Sequence, residues 1–219
     1  MAISIGNTSN GTTTSSNSIT WLHNNDKDFL VVTTASFDGS GGTDICSGVT
    51  YDGDALTKAK GNYDDGGGGR AEATIWYLAS PSSGSNNVVA TWSGTSNIQA
   101  GAVSLGGINK TDIVDATQSA TAGTGTPTLS ITTNEDDCIV IDSLYDASAF
   151  ASTSGAGQTD IFSTTLNGGD SAGASYKEVS SAEATTMSWT ASGSNGWELV
   201  AVSFNPAPDT GGAFLLNFI

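Results

Sequence analysis

Twenty-two carboxylates, one histidine and two cysteines are the side chains with which this chain could do acid–base, metal or nucleophilic chemistry. Glycoside hydrolysis needs two carboxyl groups facing one sugar bond at roughly 5–9.5 Å. Glu135-Asp136-Asp137 comes nearest to the Glu-x-Asp-x-x-Glu strand that does this in β-sandwich glucanases, but Val140 stands where the second glutamate belongs. Glu72, Glu178, Glu183 and Glu198 fall singly near expected strand ends and read as solvated charges. Calcium seeks closely spaced oxygen ligands, which Asp52-Gly53-Asp54 and Asp64-Asp65 could offer. Neither follows a calcium-loop spacing, and Asp-Gly is equally the mark of a tight hairpin turn. One histidine and two distant cysteines do not complete a four-ligand zinc site. His23 ends the expected strand Ile19–His23 and reads as a half-exposed residue, with no Gly-x-Ser-x-Gly elbow in the chain to pair with it. No catalytic residue, metal site or cofactor is expected.

Aromatic rings could form a sugar-stacking platform, having an apolar face and, in Tyr and Trp, a polar tip. Trp76 and Tyr77 are adjacent on an expected strand and point to opposite faces, which predicts that one is exposed. Tyr51, Tyr63 and Trp197 are expected near loops. Tyr63 opens the most irregular stretch of the chain, Tyr63-Asp64-Asp65 followed by four glycines and Arg70. Contact with a glycan or receptor is expected at Tyr63, Asp64, Asp65 and Arg70.

Behind these residues stands a composition suited to strands and turns. Gly, Ser, Thr and Asn supply close to half of the 219 residues, and apolar residues supply 37% in short bursts. That apolar share argues against disorder. The formal charge of −16 repels phosphate backbones and anionic surfaces, so neither nucleic acid nor a membrane is an expected partner. No run approaches the ~18 apolar residues of a membrane helix. The composition resembles that of extracellular proteins, yet the start Met1-Ala2-Ile3-Ser4-Ile5 lacks the basic and apolar regions of a secretory signal. A protein assembled inside a host cell and released by lysis, as virion components are, satisfies both.

Five blocks recur in the same order. Ser18-Ile19-Thr20 matches Ser130-Ile131-Thr132, Val31–Asp38 matches Ile139–Asp146, and Thr43–Ser47 matches Thr159–Ser163. Val89–Trp92 matches Thr186–Trp189, and Gly101–Leu105 matches Val200–Phe204. The changing spacing puts extra residues near Ala149–Ala156 in the second half and a larger excess between Asp54 and Trp92 in the first. Within the blocks the apolar period is near two or the run is continuous, as in Phe29-Leu30-Val31-Val32, and no helical stripe appears. The expected fold is all-β: a two-sheet, jelly-roll-like sandwich of two pseudo-twofold-related repeats, about 17–105 and 118–204. Residues 1–206 form one domain in this reading, and 207–219 a linker with an apolar segment.

In this alignment Cys46 falls opposite Phe162, and Cys138 opposite Leu30. Both cysteines therefore read as buried thiols. The alternative, a disulfide, would need their Cα atoms about 4.4–6.8 Å apart. After Pro206-Ala207-Pro208-Asp209-Thr210-Gly211-Gly212 comes Ala213-Phe214-Leu215-Leu216-Asn217-Phe218-Ile219, which has no counterpart in the first half. Phe214, Leu215, Leu216, Phe218 and Ile219 are expected to be buried at an interface, through strand addition to a neighbour or as an extra strand of the same chain.

The Leu30-Val31-Val32 strand, Val49-Thr50-Tyr51-Asp52-Gly53 with Ala55-Leu56-Thr57, Ile75-Trp76-Tyr77-Leu78 with Pro81, and Ala102-Val103-Ser104 carry a resemblance over most of residues 17–206. The chain resembles the duplicated concanavalin-like or jelly-roll β-sandwich modules of phage virion proteins. That resemblance implies a non-enzymatic virion structural protein, a bacteriophage capsid decoration or a tail or fibre component attached through its C-terminal segment. Its partners would be other virion proteins and further copies of itself in a homo-oligomer. A carbohydrate-binding module or adhesin is the alternative, with a secreted glycan hydrolase behind it.

Overall fold

The computed structural model describes residues 2–11, 14–38, 45–64, 70–148, 152–165, 169–190 and 195–209. Every helix or strand among them is a strand, and every ladder is antiparallel. In the first half β1 (Ser4–Asn10), β2 (Thr14–Asn25), β3 (Phe29–Asp38), β4 (Cys46–Tyr51), β5 (Asp54–Ala55), β6 (Thr57–Asp64), β7 (Arg70–Ala79) and β8 (Gly84–Gly106) form one eight-stranded sheet. The second half contains β9 (Val114–Ala122), β10 (Thr128–Thr132), β11 (Cys138–Asp146), β12 (Thr153–Ser154), β13 (Thr159–Thr165), β14 (Ser171–Val179), β15 (Ala184–Thr190) and β16 (Trp197–Phe204). These divide into a five-stranded sheet, β13-β14-β11-β16-β9, and a three-stranded one, β10-β15-β12.

The 23-residue β8 explains how one sheet serves two layers. Its first part pairs with β2 and β4, whereas Asn97–Leu105 pairs with β3 and Gly101–Gly106 with β1. Register shifts at Ser16/Ser18 and Cys46/Gly48 mark the bend, as bulges do where strands turn. Leu30 and Val32 of β3, Trp76 of β7 and Ala100 and Ala102 of β8 pack with Ile19, Trp21, Val49, Tyr51, Val88, Ala90 and Trp92 from the folded-over part. An apolar cluster drawn from both parts of β8 means that the sheet folds back over itself.

Counterpart strands keep the same order in both halves: β1-β8-β3-β7-β6 against β9-β16-β11-β14-β13 inside, and β2-β8-β4 against β10-β15-β12 outside. The expected sandwich is therefore two inner sheets, each covered by a smaller outer layer. The central core lies between the inner sheets and is shared by Phe29, Val31, Ala73, Ile75, Val103 and Leu105 with Ile139, Ile141, Tyr145, Phe162, Val202 and Phe204. A third cluster joins Val140, Leu144, Leu199 and Ala201 to Leu129, Met187 and Trp189 of the second outer layer. Covered on both faces, β11 and β16 are buried along their whole length, which is why each carries a continuous apolar run, Cys138–Ile141 and Leu199–Val202, rather than an alternation.

Register corrects the sequence alignment in detail. Leu105 pairs with Phe29, and its counterpart Phe204 pairs with Ile139, so Val31 corresponds to Ile141 rather than to Ile139. Ala90 pairs with Ile19 and Met187 with Leu129, so the β2 and β10 alignment is displaced by two residues in the opposite direction, Ile19 corresponding to Leu129 rather than to Ile131. A two-residue slip preserves the face on which each side chain lies, and so the apolar pattern did not reveal it. Cys46 and Phe162 are not counterparts, since they sit in different clusters. Both cysteines are buried free thiols, as expected, and burial pushes the Cys46 thiol up to about 12.

Candidate functional site

The two inner sheets give the molecule two distinct ends. Phe29 meets Phe204 edge to face with ring centroids 5.6 Å apart, and Phe37 stacks on Tyr145. β3 and β11 therefore run in the same direction, separated by the core. At the Phe29 end lie the start of β1 and the bridge between Ile108 and Pro206 that leads to Asp209. At the Phe37 end, about 25 Å away for strands of eight residues, lie Tyr63, Arg70, Asp146 and Trp197.

Tyr63 is brought to the surface by β6, an edge strand that pairs with β7 alone among the described residues. Alternation turns Asn62 inward and Tyr63 outward, leaving Tyr63 57% exposed. The β6–β7 hairpin places Asp64 and Arg70 at the same end by backbone register, Asp64 opposite Ala71 and Arg70 opposite Asp38. Asp65 and Phe214, Leu215, Leu216, Phe218 and Ile219 lie outside the described residues.

Beneath Tyr63 the carboxylates are not solvated. Glu198 of β16 is 1% exposed and accepts hydrogen bonds from Asn62 Nδ2 of β6 and from Thr121 Oγ1 of β9 at 2.5 Å, tying the two halves together. Glu72 is buried as well, where it accepts the Cys46 backbone N–H at 2.6 Å and faces Lys58 Nζ at 3.7 Å. Burial raises its carboxyl pKa against those partners. Only Glu178 and Glu183 of the four glutamates are surface charges. Both residues lie on covered faces: Glu198 shares the central face of β16 with Val200 and Val202, between the two inner sheets, and Glu72 lies beneath the outer layer that carries Cys46.

Asp146 accepts from Ser148 Oγ at 2.8 Å and Ser152 Oγ at 3.0 Å, and Asp170 accepts from Tyr145 Oη at 3.0 Å. Desolvation raises both carboxyls. Among the described residues no three His, Cys, Asp or Glu side chains are grouped to hold a metal. Asp52 and Gly53 have positive φ values of 52° and 88° between paired Tyr51 and Asp54. That geometry suits a two-residue hairpin turn.

His23 is fully buried, not half exposed. Its bonds form one consistent chain of donors. Trp21 Nε1 donates to Ser9 Oγ at 3.0 Å, and Ser9 Oγ lies 2.8 Å from His23 Nδ1. His23 Nε2 lies 2.8 Å from Ser104 Oγ, which donates to Asn25 Oδ1 at 2.8 Å. Because the Ser104 proton is committed to Asn25, Nε2 carries the imidazole proton and Nδ1 accepts from Ser9. Desolvation lowers this pKa to about 4, with Asp26 opposing. The imidazole fastens β1, β2 and β8 together, and the enclosed Ser104 hydroxyl offers no approach to a substrate.

Neither Trp76 nor Tyr77 is exposed as expected, whereas Tyr51 and Trp197 do sit at strand ends beside loops, although buried. Trp76 and Trp197 are each 6% exposed, Tyr51 is fully buried, and Tyr77 is half-buried in the central core. The Phe29 end carries a cleft of about 570 Å³ lined by Asn109, Asp112, Glu135, Asp136, Asp137 and Asp209. That acidic concentration was not foreseen, although Glu135-Asp136-Asp137 is plain in the sequence.

Compared with known proteins, the chain finds no matching family model, no matching curated protein and no matching solved structure.

Proposed function

We propose that this chain is a non-enzymatic structural protein of a virion, a capsid decoration or a tail or fibre component, held through its C-terminal segment. The observation that carries this reading is the polarity of the sandwich. Residues 206–209, which precede the apolar segment in sequence, lie at the Phe29 end, whereas Tyr63 and the paired strands β6 and β7 reach the opposite end. A module anchored at one end and presenting loops at the other is suited to display. Investment of His23, both cysteines and all five tryptophans in the interior supports a structural rather than a chemical role. Copurification with virion proteins at a fixed stoichiometry is the test, and its absence from purified particles would reject the reading.

A glycan-binding or adhesin role is the second reading, favoured by the exposed ring of Tyr63. Binding on a glycan array that is lost in Tyr63→Ala would support it.

A further inference from the structure

Edge strands leave backbone donors and acceptors unpaired, and proteins normally blunt them with bulges, charges or cover. Among the described residues, the inner-sheet edges are β1, β6, β9 and β13. β1 is bulged between Ile5 and Thr8, and Asn7 is bonded to Asn24 of β2 and to Asp26 just beyond it. β6 is bulged at Lys58/Lys60 and carries both lysines, and β13 is bulged at Asp160/Phe162. β9 has its irregularity at its very start, where Val114 pairs with Phe204 and Ala116 with Ser203. Beyond it, Ala116-Thr117-Gln118-Ser119-Ala120-Thr121-Ala122 runs without interruption, charge or proline. Seven residues is the longest regular stretch on these four edges.

The outward side of this stretch is identified by Ser119, whose backbone N–H donates to the side-chain oxygen of its neighbour Gln118 at 2.9 Å instead of to the ladder. Thr117 and Thr121, two residues away on either side, share that orientation. The chain also contains one uncharged, apolar stretch of seven residues outside the described sandwich, Ala213–Ile219. From Asp209 at the Phe29 end, its own copy would have to run parallel to β9, whereas every ladder among the described residues is antiparallel. A neighbouring copy can supply the antiparallel direction.

We propose that Ala213–Ile219 of one copy adds to the β9 edge of another, pairing its backbone with Thr117, Ser119 and Thr121. This rests on the reading that the C-terminal segment is the point of attachment, and it names the acceptor. Oligomers follow because each copy carries both donor and acceptor.

The full chain, its Leu216→Asp/Phe218→Asp variant and Ser119→Pro test this by light scattering and amide hydrogen exchange. Ser119→Pro removes an outward donor while leaving the β16 ladder intact. The expected result is an oligomeric full chain with slow exchange at Thr117, Ser119 and Thr121. Both variants should be folded monomers, with exchange at Thr117 and Thr121 at least tenfold faster. A monomeric full chain with a protected β9 would mean pairing within one copy and overturn the proposal. An oligomer unaffected by Ser119→Pro would place the segment elsewhere, overturning the acceptor while leaving the virion reading intact.

Discussion

Phe37 and Tyr145 stack with ring centroids 5.5 Å apart and planes within 10° of parallel, one ring from each half of the chain. At the other end of the same core Phe29, Tyr77 and Phe204 close a second aromatic group across the halves. Aromatic pairs contribute about 0.5–1.5 kcal/mol beyond the area they bury, and here they are split between halves.

The halves should therefore not be independent. A 1–107 fragment loses the partner of its entire inner face, including Phe29, Val31, Ile75, Val103 and Leu105. It is expected to show no cooperative transition in urea. A cooperatively unfolding fragment would contradict the shared core.

Trp92 and Trp189 are counterparts with different fates. Trp189 Nε1 donates to Asp142 at 2.8 Å, whereas Trp92 Nε1 is buried without a hydrogen-bond partner among the described residues. Both lose similar volume on replacement by Phe. At pH 8, where Asp142 is ionised, Trp189→Phe should nevertheless cost more than Trp92→Phe by about 1.5–3 kcal/mol, the usual worth of a hydrogen bond to a charged group. Urea denaturation of the two single variants measures the difference, and equal losses would remove the role assigned to Asp142.

Asp142 and His23 should oppose each other in pH dependence. Burial pushes the Asp142 carboxyl up to about 7 despite donors from Ser175, Trp189 and Gln158. Between about pH 4 and 6.5 the folded state holds a proton on Asp142 that the unfolded state has released, so this group's contribution falls as pH rises. His23 is neutral when folded and protonated when unfolded over that same window, so its contribution rises. Each slope approaches about 1.4 kcal/mol per pH unit, with opposite sign. Relative to the native chain, Asp142→Asn should lose stability on acidification from pH 6.5 to 4, and His23→Gln should gain it. Parallel pH profiles for all three proteins would contradict both assignments.

Gly173 accommodates the Trp189 ring. A Cβ there would lie 2.7 Å from the ring, too close for a rigid neighbour to yield cheaply. Gly173→Ala is expected to destabilise by about 1–3 kcal/mol, whereas Gly48→Ala, with open space around it, should not. Thermal melts of the pair separate crowding from loss of backbone freedom.

What sequence could and could not reveal follows from where each strand lies. Covered strands such as β11 and β16 announce themselves by unbroken apolar runs. The edges β1, β6 and β9 escape notice because Ser4–Asn10, Thr57–Asp64 and Val114–Ala122 are largely polar or small and half solvated. Missing β1 had a direct consequence for His23: Ser9, which partners the ring, comes from that strand. The glutamates failed for the same reason, since outer and facing layers decide burial and no local pattern encodes them. Tyr63 was legible because an aromatic beside a glycine run has little to pack against.

The bend of β8 makes the two outer layers unequal in how they can open. In the first half one unbroken strand belongs to both layers, so the outer layer cannot detach without straining the ladder to β3. In the second half β15 ends at Thr190 and β16 begins at Trp197, so among the described residues the β10-β15-β12 layer shares no strand with the sheet beneath. The second outer layer is accordingly free to behave as a separate cooperative unit, opening below the global free energy. Sub-global fluctuation then belongs to one half of the molecule and is suppressed in the other.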